Sequence, residues 1–267
     1  MALETVDHFL LGDSETPLWE LFHENSKTNH YERHPTFTLW PSDAAVVQMM
    51  KQLYRVKPYD DFPKFPLPSQ FPPSKYTFED IVQQRESARG FGPDDIPLDW
   101  LAKVLFMSYG ITRSNEGTIF PRPFRAVPSG GALYPLEIYL YPFRVDGLEQ
   151  GLYHYNSEAH LLNLLRSTDD KSRLLSAFVQ PELVRNAAVL ILITAIFSRT
   201  LFKYGDRGYR FVMIEAGHLA QNAILTAGGL GLNIAPVGGY MDREIDSYLG
   251  VDGLNESTIY ALVLGQP

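Results

Sequence analysis

Two periodicities in the hydrophobic positions divide the chain. From Arg207 to Leu230 no proline interrupts a run in which Ala216, Ala220, Ala223 and Ala227 recur every three or four residues, and this predicts one long helix with a stripe of small side chains. Such a stripe suits a buried core helix, and equally a helix that meets a second copy of itself. A shorter helix is expected after Ile96-Pro97, where Leu98, Leu101, Val104 and Leu105 share a face. Thr77-Phe-Glu-Asp80 has the form of a capping box with Asp replacing Glu, and it opens a helix expected to run to about Gly90. Runs rich in β-branched and aromatic residues, Leu136–Tyr141, Gly151–Tyr155, Ala187–Ala195 and Thr258–Leu264, predict strands. Helices and strands alternate irregularly, with at least one hairpin, so the fold class is α+β.

Between Pro58 and Pro73 six prolines alternate with Tyr59, Phe62, Phe65 and Phe71, which predicts an extended connector lying across a surface. Upstream, Ser42 or Asp43 is placed to cap a short helix that buries Val46, Val47, Met50 and Leu53. Residues 1–57 are therefore read as an arm, 58–74 as the connector and 75–267 as the functional body.

Composition narrows the chemistry. A hydrophobic share of 45% fills a core and excludes disorder over most of the length. A net charge of −8 disfavours nucleic acid and anionic membranes as partners. The acidic start, and a longest apolar run (Ala187 to Phe197) too short to cross a bilayer, predict a cytoplasmic protein. No cysteine is present, so there is no thiolate nucleophile and no cysteine-ligated metal, and redox chemistry would need a bound cofactor. The dinucleotide, P-loop, zinc-protease and serine-hydrolase signatures are missing, and no metal site is expected.

Four constellations remain. In Arg85-Glu-Ser-Ala-Arg89, two guanidinium groups on one helical face with Ser87 suit a terminal phosphate, although a solvated helix end looks the same. Pro128-Ser129-Gly130-Gly131 feeds into the strand at Leu136, and its glycines let backbone approach a flat ring or a phosphate, as they would also serve a simple turn. Lys203-Tyr204 lies in a loop between the strongest strand and the long helix. Apolar surroundings there would favour a neutral lysine able to act as a base, with Asp206 capping the helix. After the long helix, Pro236-Val237-Gly238-Gly239 again offers main-chain donors to a ligand. Within the long helix Glu215, His218, Gln221 and Asn222 sit among apolar neighbours and need partners if buried, but His218 is given no catalytic part.

Taken in order, these motifs, together with Glu215-Ala-Gly-His-x-x-Gln-Asn222, Gly151-Leu-Tyr-His-Tyr155, the arm segment Phe22–Lys27 and Leu264-Gly-Gln-Pro267, resemble the nitroreductase-like flavoprotein superfamily, and within it the SagB-type or McbC-like dehydrogenases. The resemblance covers nearly all of the body. It implies a central, mostly antiparallel sheet flanked by helices, holding FMN at a homodimer interface. It implies that Arg85, Ser87 and Arg89 hold the phosphate and ribityl end, that Pro128, Ser129, Gly130 and Gly131 line the isoalloxazine, and that Pro236, Val237, Gly238 and Gly239 sit near its N5 edge. Lys203-Tyr204 falls where azoline oxidases of thiazole/oxazole-modified peptides carry their catalytic Lys-Tyr pair. The activity implied is aromatisation of peptide thiazolines or oxazolines, with a cyclodehydratase complex as a partner. Two other readings stand beside it: an NAD(P)H-dependent nitro- or quinone reductase, and a non-catalytic scaffold subunit of a peptide-modifying complex.

Overall fold

A computed structural model describes residues 17–27, 48, 53, 56–115, 117, 123–167 and 171–267. The helix expected around Val46–Leu53 lies, except for Gln48 and Leu53, outside the described residues. The body is built on a seven-stranded sheet in the order β1-β6-β5-β4-β7-β9-β8, from β1 (Lys64–Pro66), β4 (Leu136–Pro142), β5 (Leu152–Asn156), β6 (Leu161–Arg166), β7 (Val189–Ile196), β8 (Asn233–Val237) and β9 (Glu256–Gly265). Every neighbouring pair in it is antiparallel. A small ribbon of β2 (Ile111–Arg113) and β3 (Phe124–Arg125) stands apart.

The helices divide between the faces. Residues Leu136, Ile138 and Leu140 of β4 and Ile191 and Ile193 of β7 face one way, into a layer with α3 (Leu98–Tyr109) and α7 (Arg207–Leu230). The alternate residues Tyr139, Tyr141, Leu190 and Leu192 face a second layer with α4 (Lys171–Ser176), α5 (Pro181–Asn186) and α8 (Asp242–Leu249). A strand covered on both faces has no polar side, which is why the Ala187–Ala195 run reads as continuously apolar. Each fully buried leucine or isoleucine in these layers stabilises the fold by about 1.5–3 kcal/mol.

Ala216, Ala220, Ala223 and Ala227 are all buried in the first layer, so the small-residue stripe of α7 is spent on the chain's own core. They let α3 and α7 approach closely, with Asn222 Nδ2 donating to the Met107 carbonyl at 3.2 Å. The reading of that stripe as a contact between copies is therefore corrected; the exposed side of α7 carries Ile214, Gly217, His218 and Gln221 instead. The helix closes at Gly231, whose φ of 76° is the left-handed conformation that glycine adopts without strain. Asp206 precedes its first turn but makes no side-chain cap.

Two further expectations are revised. The capping box at Thr77 and Asp80 forms, but its helix, α2 (Phe78–Gln84), ends before Arg85, and residues 85–90 run as irregular chain. Ala88 N donates to the Ile234 carbonyl at 3.0 Å, so pairing beside β8 replaces the helical bonds that segment would otherwise make. The proline-rich connector also contributes β1, paired to β6 at the sheet edge, where missing proline donors cost nothing.

Candidate functional site

Lys203 and Tyr204 do not lie in a loop. They form the last turn of a short helix, α6 (Ser198–Tyr204), which leaves the end of β7 and is capped by Gly205 at φ 53°. That end of β7 also meets the start of β4, Leu136 pairing with Ala195, so the segment feeding β4 is brought to α6. The segment contains Gly130 and Gly131. A Cβ placed on Gly131 would stand 2.7 Å from Tyr204 Oη and 3.0 Å from Lys203 Nζ, which measures how closely amine and phenol converge on this backbone. The Lys203 ammonium also lies 5.3 Å from the Tyr204 ring centre, and Tyr204 stands edge-on to Phe211 at 4.9 Å. Phe211 in turn packs under Gly130.

Position 203 is set from below by charge. Arg199, four residues earlier on α6 and buried, places Nη2 2.6 Å from Glu137 Oε1 on β4. The other carboxylate oxygen accepts from His154 Nε2 of β5 at 2.6 Å. Burial opposes ionisation of Glu137, but the Arg199 charge and the His154 hydrogen bond win and hold its carboxyl down at about 2. An intact buried pair of this kind ties α6 to the sheet.

Beneath the glycine loop lies Glu215 of α7, 3% exposed. Tyr109 Oη donates to its Oε1 at 2.8 Å, and the Ser129 hydroxyl lies near the same carboxyl. Burial raises the Glu215 carboxyl to about 7 against the pull of these hydroxyls and of Arg125. His218, on the exposed side of the same helix, is apart from this group.

A second set gathers elsewhere. Arg85, Ser87 and Arg89 line a cleft of about 820 Å³ with Pro236 of β8 and Gln180, Glu182 and Asn186 of α5 and its approach. Both arginines are exposed, and among the described residues neither forms an ion pair. Val237 is buried in the second core layer, leaving only its main chain to a ligand. Gly238 has open space where a side chain would be, while Gly239 lies against Val179. Arg85–Arg89 runs beside the Asn233 half of β8, which pairs with the Gly265 end of β9, whereas α6 sits at the opposite, Glu256 end. The structure thus brings Gly130 and Gly131 to Lys203 and Tyr204, and Pro236 to the arginines, but keeps the two sets apart in one chain.

Residue patterns gave Glu137, His154, Arg199 and Tyr109 no role; Glu137 and His154 each sit singly among apolar and aromatic strand residues. Glu215 was signalled only as a polar residue on a buried face. Among the described residues no helix is long and apolar enough to cross a membrane, and no group of three metal-ligating side chains occurs.

The nitroreductase family profile matches residues 82–266. The chain is 37% identical over 173 residues to MJ1384 of Methanocaldococcus jannaschii, named as a candidate nitroreductase, covering 65% of this chain and 84% of that one. It is 29% identical to the trifolitoxin-processing protein TfxB of Rhizobium leguminosarum bv. trifolii (76% of this chain, 56% of the relative) and 34% identical to the microcin B17-processing protein McbC of Escherichia coli (48% and 49%). It therefore spans about half the length of these two peptide-processing relatives. A structure of the E. coli microcin synthetase McbBCD complex with truncated pro-MccB17 bound superposes with a TM-score of 0.59 at 19% identity, over 98% of this chain and 86% of that one.

Proposed function

The chain belongs to the nitroreductase family, and on that premise we propose that it is an FMN-dependent oxidase or dehydrogenase that aromatises thiazoline or oxazoline rings in a peptide. The observation that carries this reading is the convergence of Lys203 Nζ and Tyr204 Oη on Gly131, an amine and a phenol held at one main-chain loop. That two relatives are named for processing peptide toxins supports it.

The residues present fit FMN. Two exposed guanidinium groups and a serine at one cleft suit a terminal phosphate, and Gly238 leaves room for a flat ring to approach the main chain. In this reading Arg85, Ser87 and Arg89 hold the phosphate and ribityl end, Pro128, Ser129, Gly130 and Gly131 line the ring, and Pro236, Val237, Gly238 and Gly239 approach its N5 edge through main chain. When bound, FMN supplies the two-electron acceptor that a cysteine-free chain has no side chain to provide.

Lys203 takes the proton from the ring carbon next to the peptide carbonyl, and Tyr204 orients the amine and shares its proton. Phe211, edge-on to Tyr204 and packed under Gly130, keeps water from that side of the pair, and Gly131 leaves substrate room to approach both groups. Two copies of the chain complete the site, one bringing the arginine cleft and the other the Lys203 helix α6, and a cyclodehydratase supplies the azoline. The enzyme works in the cytoplasm, where precursor peptides are made.

The test is purified protein with a synthetic thiazoline peptide, followed by mass spectrometry for the loss of two hydrogens. Wild type is expected to be yellow and to convert it. Lys203→Ala is expected to remain yellow and to lose at least about a hundredfold in rate. Colourless protein that takes up no FMN would sink the reading, and rapid bleaching by NAD(P)H without peptide oxidation would replace it with a nitro- or quinone reductase.

A further inference from the structure

The loop between β3 and β4 is strained. Besides Gly131 at φ 64°, Ala132 (52°) and Tyr134 (48°) occupy the left-handed region, which side chains disfavour. Such residues persist only where their surroundings over-determine them. Here four backbone groups are fixed: Ala132 N donates to the Ser129 carbonyl at 2.9 Å, Tyr134 N to Ser129 Oγ at 2.9 Å, Arg125 N to Tyr134 Oη at 3.0 Å, and Leu136 N to Tyr109 Oη at 3.1 Å.

Three of these acceptors are hydroxyls, and a hydroxyl has one proton to give. Tyr109 gives its proton to Glu215. An ionised carboxylate accepts only, so the Tyr109 hydroxyl must donate to it and is left with lone pairs turned toward Leu136 N. A protonated or amide side chain would carry a donor of its own and remove that compulsion.

We propose that Glu215 is the positioning residue of this loop: its carboxylate fixes the direction of the Tyr109 hydroxyl, and through it the Leu136 end of the Ser129–Leu136 segment that receives the flavin ring and presents Gly131 to Lys203 and Tyr204. This rests on the FMN reading above.

The groups facing the carboxyl are Tyr109 from α3, Ser129 from the loop, and Arg125 from β3, whose guanidinium lies 4.4 Å over the Tyr109 ring and 5.3 Å over that of Tyr134. Because burial raises Glu215 to about 7, folding favours its protonated form. Its contribution to stability is present at acid pH and is lost as pH rises to about 7. Loop shape gains over the same interval, so the device works in the anion at some expense in stability.

The experiment is titration of FMN into apoprotein, followed by flavin fluorescence, for wild type, Glu215→Gln, Tyr109→Phe and the double variant at about one unit either side of pH 7. Near pH 8, Glu215→Gln and Tyr109→Phe are each expected to weaken FMN binding about tenfold, and the double variant no further than the weaker single. Near pH 6 Glu215→Gln is expected to match wild type. FMN's own phosphate titrates alike in all four proteins, so the comparison between variants removes it. Equal affinity of Glu215→Gln and wild type at both pH values, or losses that multiply in the double variant, would overturn the proposal. Should Glu215→Gln fail to fold by circular dichroism, Tyr109→Phe and the wild-type pH profile decide: Tyr109→Phe is expected to flatten that profile, and an unchanged one overturns the proposal. A wild type that binds no FMN at either pH overturns the cofactor reading itself.

Discussion

Gly131 bears two constraints at once, and they can be separated. Its φ of 64° disfavours any side chain, and a Cβ would press on both Tyr204 Oη and Lys203 Nζ. Gly147 has a similar φ of 73° but open space around it. Alanine at either position is expected to cost about 1–2 kcal/mol from backbone strain alone. Only Gly131→Ala should also displace the amine and phenol, lowering turnover at least tenfold while FMN-loaded Gly147→Ala retains the wild-type rate. Denaturant unfolding and turnover of the two variants side by side check this, and equal rates would detach Gly131 from the site.

The short helix α6 is the element on which the site turns, and it is anchored at one end by the Arg199–Glu137 pair and at the other by Gly205. Arg199→Met leaves a buried carboxylate uncompensated, and about 3–5 kcal/mol should be lost. Glu137 is held down at about 2, so its pairing stabilises above the ordinary carboxyl range and that contribution disappears as pH falls through that range toward 2. Wild type should therefore lose stability between about pH 5 and pH 3 that Arg199→Met has already lost near neutrality. Urea unfolding at both pH values checks the difference. This element was also the hardest to read from residues. Seven residues of SRTLFKY span too few turns to show a period, and their first half extends an apolar strand. The long helix and the four main strands were legible because each repeats its period over enough positions, and α7 matches its expected limits of Arg207 and Leu230. Strand β8 was hidden by Pro236 and its flanking glycines, and β1 by the prolines, which residue propensity counts against strands although an edge tolerates them. Within the site, the Lys203 and Gly131 motifs were visible separately, but their meeting depends on Leu136 pairing with Ala195, a contact between residues far apart in sequence.

At the scale of the whole molecule, the arginine cleft and the Lys203 helix α6 occupy opposite ends of one sheet. A site shared between copies makes a mixing test possible. Arg89→Glu and Lys203→Ala proteins, each inactive alone, should on co-expression yield a mixed dimer with one intact site and up to about half the wild-type activity per dimer. Co-purification through two different tags measures it, and an inactive mixed dimer would mean that each chain must supply both sets.

Sheet boundaries have their own consequence. Strand β1 lies along β6 on one side, and the Ala88 segment hydrogen-bonds alongside β8 on the other, so each rim is occupied by the chain itself. Cutting the polypeptide after Pro66 would bare a row of hydrogen-bonding groups on β6, a template onto which further molecules can stack into fibrils. The proline-studded stretch thus serves as selvedge to the fabric, and a truncation meant to tidy the N-terminus should start ahead of Pro58.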